Sequence, residues 1–388
     1  MTSLPSPGPA ALAHSHRLAA AIQAEIEASG GWLDFARFME RALYAPGLGY
    51  YSAGSRKIGA EGDFVTAPEI SPLFGRALAR QVAEILGRSG GDVLELGAGS
   101  GRLAVDLLRG LEECGCPLRH YLILEVSADL AERQRNQIAR QAPEHLPRCR
   151  WLEALPETFA GVVLANEVLD ALPVHLLAWR KDGVYERGAV VAGEGFGWEE
   201  RLLGPGPLRD KALRLGLPTG AVTEIGLAAP RLVHTLGKIL KQGVLLLLDY
   251  GFPEREYYHP QRSGGTLMCH YRHRTHDDPL WLPGLQDITS HVNFTAIGEA
   301  GTAAGLELLG YTSQARFLIN CGIVDLLAQT PAEDIPAYLP QAGAVQRLLS
   351  PAEMGELFKV MALGKDCMAP LLGFGQGDRR RSLAPDVR

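Results

Sequence analysis

The sequence predicts an α/β fold, in which a largely parallel sheet is covered by helices, and three observations support this prediction. Between residues 93 and 165, short apolar segments of strand length alternate with helical patterns. The first of these segments runs into a glycine-rich loop at 97–101, and a helical pattern begins directly after the loop. A strongly apolar segment at 244–248 has the composition of a central strand. Such alternation is typical of parallel strands joined by right-handed crossovers.

The composition is that of an ordinary globular protein. The 388 residues carry a formal net charge of −6, with 46% hydrophobic and 21% charged side chains. This mild acidity argues against non-specific binding to nucleic acid, which needs clustered Lys and Arg. The longest candidate apolar run, 244–248, is far shorter than the roughly 18 residues of a membrane-spanning helix. We therefore expect no nucleic-acid partner and no stable membrane insertion, and the sequence leaves the oligomeric state open.

The cysteines and the N-terminal residues bear on the cellular compartment. The 6 cysteines are scattered, and no two have C-x-x-C spacing. The sequence therefore predicts neither a zinc site nor a disulfide framework. The first residues lack a basic segment followed by an apolar one, so no signal peptide is predicted. These features predict a soluble protein of a reducing compartment such as the cytoplasm.

The N-terminal part of the chain has helical patterns on both sides of a long loop. Helices are expected at 17–28, 32–44 and 72–86, and the loop at 50–71. Gly, Pro and charged residues fill this loop. Connections of this length are usually lids, binding loops or disordered segments.

The predicted sheet region is interrupted once. Strands are expected at 93–96, 121–124, 150–152, 162–165 and 244–248, with helices at 103–111, 130–140 and 230–240. Between the fourth and fifth strands, residues 177–218 contain short β-like pieces separated by Gly and Pro, which is typical of an insertion. Later β-like runs are expected at 266–269, 306–309 and 315–319, and the residues after Cys321 are predicted to be helical and peripheral.

The glycine loop is the most informative motif. Gly97, Gly99 and Gly101 stand at alternate positions, and glycine lets a ligand approach the backbone where a Cβ atom would collide. Dinucleotide-binding loops have the spacing G-x-G-x-x-G, so the spacing G-x-G-x-G favours another ligand. Glu95, just before the loop, repels phosphate but suits the ammonium or sulfonium group of S-adenosylmethionine. The alternative is a turn that serves only close packing of the helix on the strand.

A second acid, Glu125, follows the second predicted strand, 24 residues after Gly101. An acid at this position can accept hydrogen bonds from both ribose hydroxyls of a bound nucleoside. The feature suits NAD and S-adenosylmethionine equally, and the alternative is an exposed acid after a strand. Combined with the loop spacing, it favours S-adenosylmethionine.

Polar residues also follow the fourth predicted strand. Asn166, Glu167 and Asp170 lie there, and ligands of open parallel sheets bind beyond the carboxyl ends of the strands. These residues are therefore candidates for meeting a methyl acceptor. Carboxylates can orient a guanidinium by paired hydrogen bonds. Asp170 or Asn166 could instead cap a helix, and Asp249 after the fifth strand is either a further acid at this edge or a turn residue.

Histidines give weaker indications. His270, His273 and His276 recur every three residues, but this spacing does not ensure that their side chains converge, and no metal site is predicted. His291 is a candidate general base because an imidazole titrates near neutral pH. The alternative for His291 is a structural role.

A set of ordered sequence blocks carries a family resemblance. Besides the glycine loop, the blocks are residues 38–51, 62–71, 166–174, 248–251, 265–272 and 287–294. Over about residues 32–320 the chain resembles the MidA-like class I S-adenosylmethionine-dependent methyltransferases. Eukaryotic relatives in this family are mitochondrial complex I assembly factors that act as protein arginine methyltransferases. Two positions depart from the family pattern, since Gly226 stands where Asn is expected and Asn293 where Asp is expected.

The resemblance implies a fold, a cofactor and a function. The fold is a Rossmann-like class I methyltransferase sheet of seven strands, with an N-terminal helical extension and an insertion after strand four. The cofactor is S-adenosylmethionine. Family members are associated with symmetric dimethylation of an arginine in the complex I subunit next to the quinone site. The resemblance thus implies protein arginine methylation of a complex I subunit in support of complex assembly.

The resemblance also implies that residues 66–71 fold over the cofactor. The expected cofactor-binding residues are Thr66, Pro68, Glu95, Gly97, Ala98, Gly99, Gly101, Glu125, Val126 and Asn166, and the expected catalytic residues are Glu167, Asp170 and His291. The expected organisation is an arm and helix at 1–30, a helical and lid region at 31–90, the cofactor-binding half of the core at 91–175, a substrate-side insertion at 176–230, the second half of the core at 231–320 and a peripheral helical segment and tail at 321–388.

The sequence offers three alternatives to arginine methylation. The long peripheral segments and the insertion are compatible with a cofactor-binding assembly chaperone that has little turnover. A small-molecule methyltransferase also remains open. A nicotinamide-dependent oxidoreductase is disfavoured by the spacing of the glycine loop.

Overall fold

The computed structural model describes residues 4–53, 66–367 and 370–384. The chain divides into two compact units. The parallel unit comprises Val65–Leu169, Pro230–Pro253 and Phe294–Arg388, and the antiparallel unit comprises Met1–Phe64, Asp170–Ala229 and Glu254–Asn293. Within the described ranges, no helix combines the length and the apolar composition needed to cross a membrane.

The helices and strands are numbered in chain order. The α-helices are α1 (Pro9–Ala28), α2 (Phe35–Tyr44), α3 (Ala67–Ile70), α4 (Pro72–Ser89), α5 (Arg102–Glu113), α6 (Ala128–Gln141), α7 (Pro207–Leu215), α8 (Ala228–Ile239), α9 (Glu254–Tyr257), α10 (Phe294–Ala303), α11 (Gln314–Asn320), α12 (Ile323–Leu327) and α13 (Ile335–Leu349). The strands are β1 (Leu33–Asp34), β2 (Asp92–Leu96), β3 (Tyr121–Leu124), β4 (Cys149–Leu152), β5 (Phe159–Asn166), β6 (Val174–Arg180), β7 (Gly183–Ala192), β8 (Gly195–Leu202), β9 (Val222–Gly226), β10 (Leu240–Phe252), β11 (Met268–Tyr271), β12 (Arg274–His276), β13 (Asp287–Thr289), β14 (Val292–Asn293), β15 (Glu307–Ser313) and β16 (Phe358–Lys365).

Seven strands of the parallel unit form one sheet in the order β15-β16-β10-β5-β2-β3-β4. The five strands from β10 to β4 are parallel, whereas β16 runs antiparallel to both β10 and β15. The central strand β10 has a partner strand on each side and is buried throughout 244–248, as expected of a strand whose two faces are both covered. This arrangement confirms the predicted α/β fold with a mostly parallel sheet.

Two predictions about the C-terminal part are wrong. Residues 315–319, predicted as a β-like run, belong to helix α11, which begins where the Ser313 side chain accepts a hydrogen bond from the Arg316 N–H at 3.5 Å. Residues 358–365, predicted to be helical and peripheral, form the buried strand β16 between β10 and β15. A short apolar run fits a buried strand and a buried helix equally, and only its tertiary partners distinguish the two.

The antiparallel unit combines N-terminal residues with the predicted insertion. Its larger sheet has the order β1-β7-β6-β9, with β8 paired to β7, and its smaller sheet has the order β12-β11-β13. Helix α1 packs with Leu18, Ile22 and Ile26, which lie four residues apart and are buried. Helix α2 begins at Phe35 instead of the predicted 32, because Leu33–Asp34 pairs with β7 and the Asp34 side chain caps the helix.

Of the predicted long loop at 50–71, residues 54–65 lie outside the described part of the chain. Residues 67–70 form the short helix α3, and α4 begins at Pro72. The hydroxyl of Ser71 accepts a hydrogen bond from the Leu73 N–H at 3.2 Å, so Ser71 caps α4.

Candidate active site

The glycine loop joins β2 to α5 in the parallel unit. Gly97, Gly99 and Gly101 have φ values of 59°, 55° and 81°, a region that side chains with a Cβ atom rarely adopt. At Gly101 an added Cβ would also lie 3.1 Å from the Cα of Gln134. Because Gly101 directly precedes α5, the loop leads to a helix N-terminus whose free N–H groups favour an anionic ligand group.

Glu125 follows β3 and is held by two donors. The Ser127 N–H donates to Oε1 at 2.9 Å, and the Gln134 side-chain amide donates to Oε2 at 2.9 Å. The same Gln134 amide donates to the carbonyl of Gly99 at 3.0 Å. Burial raises the pKa of Glu125. Gln134 therefore links the predicted ribose acid to the glycine loop, although the sequence analysis did not single it out.

Glu95 is a buried acid in β2, with 3% of its surface exposed. Its Oε2 accepts a hydrogen bond from the Tyr121 hydroxyl at 2.8 Å. Burial, together with the nearby charge of Glu125, raises the pKa of Glu95 to about 7, although the bond from Tyr121 lowers it. The Glu95 carboxyl is therefore about half ionised at neutral pH, and a cation beside it would favour the ionised form.

Two small or apolar residues complete this edge of the sheet. Val126, next to Glu125, is 74% exposed, which is unusual for a large apolar side chain. Ala98, in the glycine loop, is buried. An exposed apolar side chain beside an acid suits a ligand such as a nucleoside, which has one apolar face and a ribose.

The turn after β5 contains Asn166 and Glu167, both half-buried. Glu167 has φ 53°, and such a backbone costs a non-glycine residue of order 1 kcal/mol or more. Its N–H donates to the Leu248 carbonyl at 2.9 Å, and its Oε1 accepts from the Asn166 side-chain amide at 3.3 Å and the Ala67 N–H at 3.3 Å. Strain of this kind concentrates at functional sites, so Glu167 is a functional candidate.

Asp249, at the end of β10, shapes the same turn. It is 1% exposed, and its two carboxylate oxygens accept from the N–H groups of Leu169 and Tyr250, each at 2.9 Å. These bonds support the structural alternative considered for Asp249, because both of its oxygens bond the backbone of the turns.

The segment at 66–71 lies in the parallel unit with the glycine loop. Thr66 is half-buried and precedes α3, in which Ala67 and Pro68 are buried. Glu69 of α3 accepts a hydrogen bond from the Ser100 hydroxyl in the glycine loop. The Ala67 N–H bonds to Glu167, so α3 contacts both the glycine loop and the turn after β5. Neither Glu69 nor Ser100 was a predicted site residue.

Asp170 and His291 belong to the antiparallel unit, where Asp170 is hydrogen-bonded to the residue that precedes His291. The Asp170 carbonyl accepts from the Ser290 N–H at 3.0 Å. The next residue, His291, donates its backbone N–H to the Thr266 hydroxyl at 2.9 Å. Asp170 is 5% exposed, and His291 is half-buried. The structure therefore brings these two predicted catalytic residues onto adjoining backbone segments.

Glu224 is a buried acid that binds Thr266, the residue whose hydroxyl accepts the His291 N–H. It is fully buried, and its Oε1 accepts from the Tyr257 hydroxyl at 2.7 Å, from the Thr266 N–H at 2.8 Å and from the Thr266 hydroxyl. Gly265 has φ +75°, and an added Cβ there would collide with the Glu224 carboxylate. Residue type alone gave no sign of this acid's role, because its donors are 33 and 42 residues away in the chain.

The two departures from the family pattern lie near this network. Gly226 ends β9 and is paired with Val174. The Asn293 side-chain amide donates to Glu254 Oε2 at 3.1 Å. Asn293 thus acts as a donor to an acid, which an aspartate could do only when protonated.

Two groups of potential metal ligands occur in the described part of the chain, and neither contains a predicted site residue. They are Asp34, His175 and Glu186 in the antiparallel unit and Glu112, Glu144 and His145 in the parallel unit. Within the first group, His175 Nδ1 lies 2.6 Å from Glu186 Oε1.

Comparison with known proteins identifies the family. Residues 76–312 match a family profile described as "Putative S-adenosyl-L-methionine-dependent methyltransferase". The chain belongs to this methyltransferase family. It is an S-adenosylmethionine-dependent methyltransferase, and S-adenosylmethionine is its cofactor.

Relatives of this methyltransferase are known as sequences and as structures. A crystal structure from Burkholderia thailandensis, bound to S-adenosyl-homocysteine, is 51% identical with a TM-score of 0.96, covering 98% of this chain and 100% of that one. "Protein arginine methyltransferase NDUFAF7 homolog, mitochondrial" from Drosophila melanogaster is 29% identical, over 92% of this chain and 88% of the relative. The human "Protein arginine methyltransferase NDUFAF7, mitochondrial" is 28% identical, over 86% of this chain and 80% of the relative.

The residues of the methyltransferase fit its cofactor. The positive φ values of the loop glycines leave backbone uncovered by Cβ atoms, as a closely bound ligand requires. Glu125 is suited to a ribose diol, and the exposed Val126 is suited to an adenine face. The acids Glu95 and Glu125 match the positive charge of the sulfonium and ammonium groups.

Proposed function

We propose that this methyltransferase methylates a guanidinium nitrogen of an arginine side chain in a protein, a subunit of respiratory complex I. The names of the Drosophila and human relatives support the arginine substrate, because the chain spans 88% and 80% of those proteins. The family resemblance of the sequence blocks supports the complex I subunit. The reaction is proposed to take place in the cytoplasm of a bacterial cell.

The observation that carries this proposal is the geometry of Glu167. Its backbone is held at φ 53° by the bond from its N–H to the Leu248 carbonyl, and its Oε1 is held by Ala67 and Asn166. A carboxylate fixed in this way at the carboxyl end of a central strand is suited to a planar cation with several N–H donors. A strained backbone at Glu167 is expected if its carboxylate must be held in position for a substrate.

The cofactor residues are proposals of the same kind. The loop glycines Gly97, Gly99 and Gly101, with Ala98, would take the amino-acid end of the cofactor. Glu95 would meet its positive charge, Glu125 its ribose, and Val126 its adenine. Thr66, Pro68 and Asn166 would cover the remaining surface, because α3 is hydrogen-bonded to both the loop and the turn after β5.

The chemistry follows from these roles. S-adenosylmethionine supplies an activated methyl group, which passes from sulfur to an arginine nitrogen while that nitrogen loses a proton. Glu167 would accept N–H bonds from the guanidinium and so orient its attacking nitrogen. His291 would take up the released proton as a general base. No metal ion has a role in this scheme.

The proposal can be tested by following the methyl group. The purified enzyme is incubated with S-adenosylmethionine carrying an isotopic methyl label and with extract of cells that lack the enzyme, and labelled peptides are identified by mass spectrometry. We expect label on an arginine of a complex I subunit. The Glu167→Gln variant should bind the cofactor normally but transfer label at least about 100-fold more slowly.

A matched control is Glu113→Gln. Glu113 is an exposed acid paired with Arg76 at 2.8 Å, and its substitution should change nothing. Label found only in small molecules would overturn the protein substrate. Full complex I assembly in cells that carry only an inactive Glu167→Gln enzyme would favour a chaperone over a methyltransferase role.

A further inference from the structure

Helix α3 brings Glu69, which is not among the predicted site residues, to the glycine loop. The Glu69 carboxylate accepts a hydrogen bond from the Ser100 hydroxyl, and Ser100 lies between Gly99 and Gly101. We propose that Glu69 is a cofactor-binding residue that accepts hydrogen bonds from the α-ammonium group of the cofactor. This inference rests on the proposed position of the cofactor at the glycine loop.

The position of Glu69 is fixed by the packing of its helix. Ala67 and Pro68 are buried, and the Ala67 N–H donates to Glu167 Oε1 at 3.3 Å. The beginning of α3 is thus tied to the turn after β5, and Glu69 is tied to the loop. Ser100 is also held, because its hydroxyl accepts the Arg102 N–H at 3.2 Å. The Glu69 carboxylate is therefore located at the loop by contacts on both sides.

The carboxylate has capacity for a ligand. Oε1 of Glu69 accepts from Ser100, whereas no residue in the described ranges donates to its Oε2. The cation nearest to Glu69 in sequence, Arg76, pairs with Glu113 at 2.8 Å, and Arg102, beside Ser100, pairs with Asp106 at 2.9 Å, so both charges are engaged by other acids. Glu69 is half-buried, and its charge is therefore only partly screened by water.

The chemistry of the amino-acid end matches this arrangement. Its α-carboxylate suits a helix N-terminus such as the start of α5, and its α-ammonium has three N–H donors that need acceptors. Glu95 can supply one acceptor, but Glu95 is 3% exposed and already bonded to Tyr121. Glu69, in α3, supplies a second acid beside the loop. The two acids would share one ammonium group.

The test uses three ligands that differ at the amino-acid end. S-adenosylmethionine and S-adenosylhomocysteine both carry the α-ammonium group, whereas 5′-methylthioadenosine lacks the whole amino-acid part. Binding of each is measured by titration calorimetry with the full-length protein. Glu69→Gln should weaken the first two ligands about 10-fold, or about 1.4 kcal/mol, and leave 5′-methylthioadenosine unchanged.

Two variants make this result specific. Glu125→Gln should weaken all three ligands to a similar degree, because all three have the ribose. Ser100→Ala removes the bond that positions Glu69 but keeps its charge, so it should weaken only the two amino-acid ligands, by about 3-fold. This second variant also provides the answer if Glu69→Gln does not fold, which is checked by thermal unfolding.

The possible outcomes test the role of Glu69 and the position of the cofactor separately. Equal weakening of all three ligands by Glu69→Gln, or no weakening of any, overturns the role of Glu69. If Glu125→Gln leaves all three ligands unchanged, the proposed position of the cofactor fails, and the inference about Glu69 is overturned with it. Loss confined to the two ligands with an ammonium group supports the inference.

Discussion

The two units of the molecule hold buried acids in different ways. In the parallel unit, Glu95 accepts a bond from Tyr121, and Glu125 accepts one bond at each oxygen. In the antiparallel unit, three donors converge on a single oxygen of Glu224. A carboxylate oxygen with few protein donors keeps lone pairs for a ligand, whereas a saturated one can only hold the protein together. The comparison thus separates Glu95 and Glu125, whose oxygens keep lone pairs for a ligand, from Glu224, whose Oε1 does not.

The largest effect should come from Glu224. Glu224→Ala removes the acceptor of Tyr257 and Thr266 and leaves their buried donors unsatisfied, so the free energy of unfolding should fall by about 4 kcal/mol. Urea denaturation measures this change. Glu199→Ala, an exposed acid of β8, should cost no more than about 0.5 kcal/mol. A loss below about 1 kcal/mol for Glu224→Ala would show that the hydrogen bonds to Glu224 do not stabilise the fold.

The second effect is the pH dependence due to Glu95. Its folded pKa of about 7 lies above the ordinary value of 4.5, so the folded state binds the proton more tightly than the unfolded state. The stability from this group is fully present below pH 4.5 and is lost as the pH rises to about 7. The loss amounts to about 3 kcal/mol. Urea denaturation of wild type and Glu95→Gln across this range should show a difference that grows with pH.

Cofactor binding should also change the ionisation of Glu95. The positive charge of the cofactor favours the ionised carboxylate, so the affinity of wild type relative to Glu95→Gln should rise between pH 6 and 8. Parallel stability curves for the two proteins, or a constant ratio of affinities, would show that Glu95 titrates normally. The pKa of Glu95 would then be that of an ordinary surface acid.

A third effect, of intermediate size, concerns the loop itself. Gly101→Ala forces a Cβ atom onto a backbone with φ +81° and to within 3.1 Å of the Gln134 Cα. We expect a stability loss of about 1–2 kcal/mol and weaker cofactor binding, because Gln134 also holds Glu125. Thermal unfolding measures the loss of stability, and calorimetric titration measures the cofactor affinity.

Gly115→Ala is the matched control for this variant. Gly115 has φ +67° and nothing within 4 Å of an added Cβ, so the control carries the backbone strain without the contact. It should lose stability by about 1 kcal/mol and keep its cofactor affinity. Equal affinities of the two variants would contradict the link between the loop and Glu125.

The smallest effect is expected at Val126. Because this side chain is 74% exposed, Val126→Ser should leave the stability unchanged within about 0.5 kcal/mol. If Val126 covers the adenine, the cofactor affinity should fall about 5-fold, from the loss of roughly 1 kcal/mol of apolar contact. Val324→Ser, at a 52% exposed position of α12, is the control without an effect on binding. Unchanged affinity in Val126→Ser would exclude this contact.

The same comparison shows what could be predicted from the sequence. The glycine loop, Glu125 and the strands of the parallel sheet depend on local patterns, namely spacing, apolar runs and their order, and these were found. Gln134 and Glu224 depend on partners distant in the chain, and a buried glutamine or glutamate looks like any other in the sequence. The donors to Glu224 come from residues 257 and 266, which no local pattern connects with it.

The errors in the fold have the same cause. Strand β16 and helix α11 are both short apolar stretches, and their types were exchanged because periodicity does not decide over five to eight residues. Ser313 before α11 is a helix-start signal that could have corrected one of them. Nothing local indicates that β16 pairs with β10, more than a hundred residues earlier.

The position of β16 has a consequence for biosynthesis. A ribosome that has released the chain as far as residue 320 has delivered β10 and β15, but not the strand that lies between them. Until residue 365 emerges, the nascent chain presents two unfilled ladders of N–H and C=O groups beside an apolar interior. The sheet is therefore completed only after residue 365 has emerged, and until then the nascent chain is at risk of aggregation.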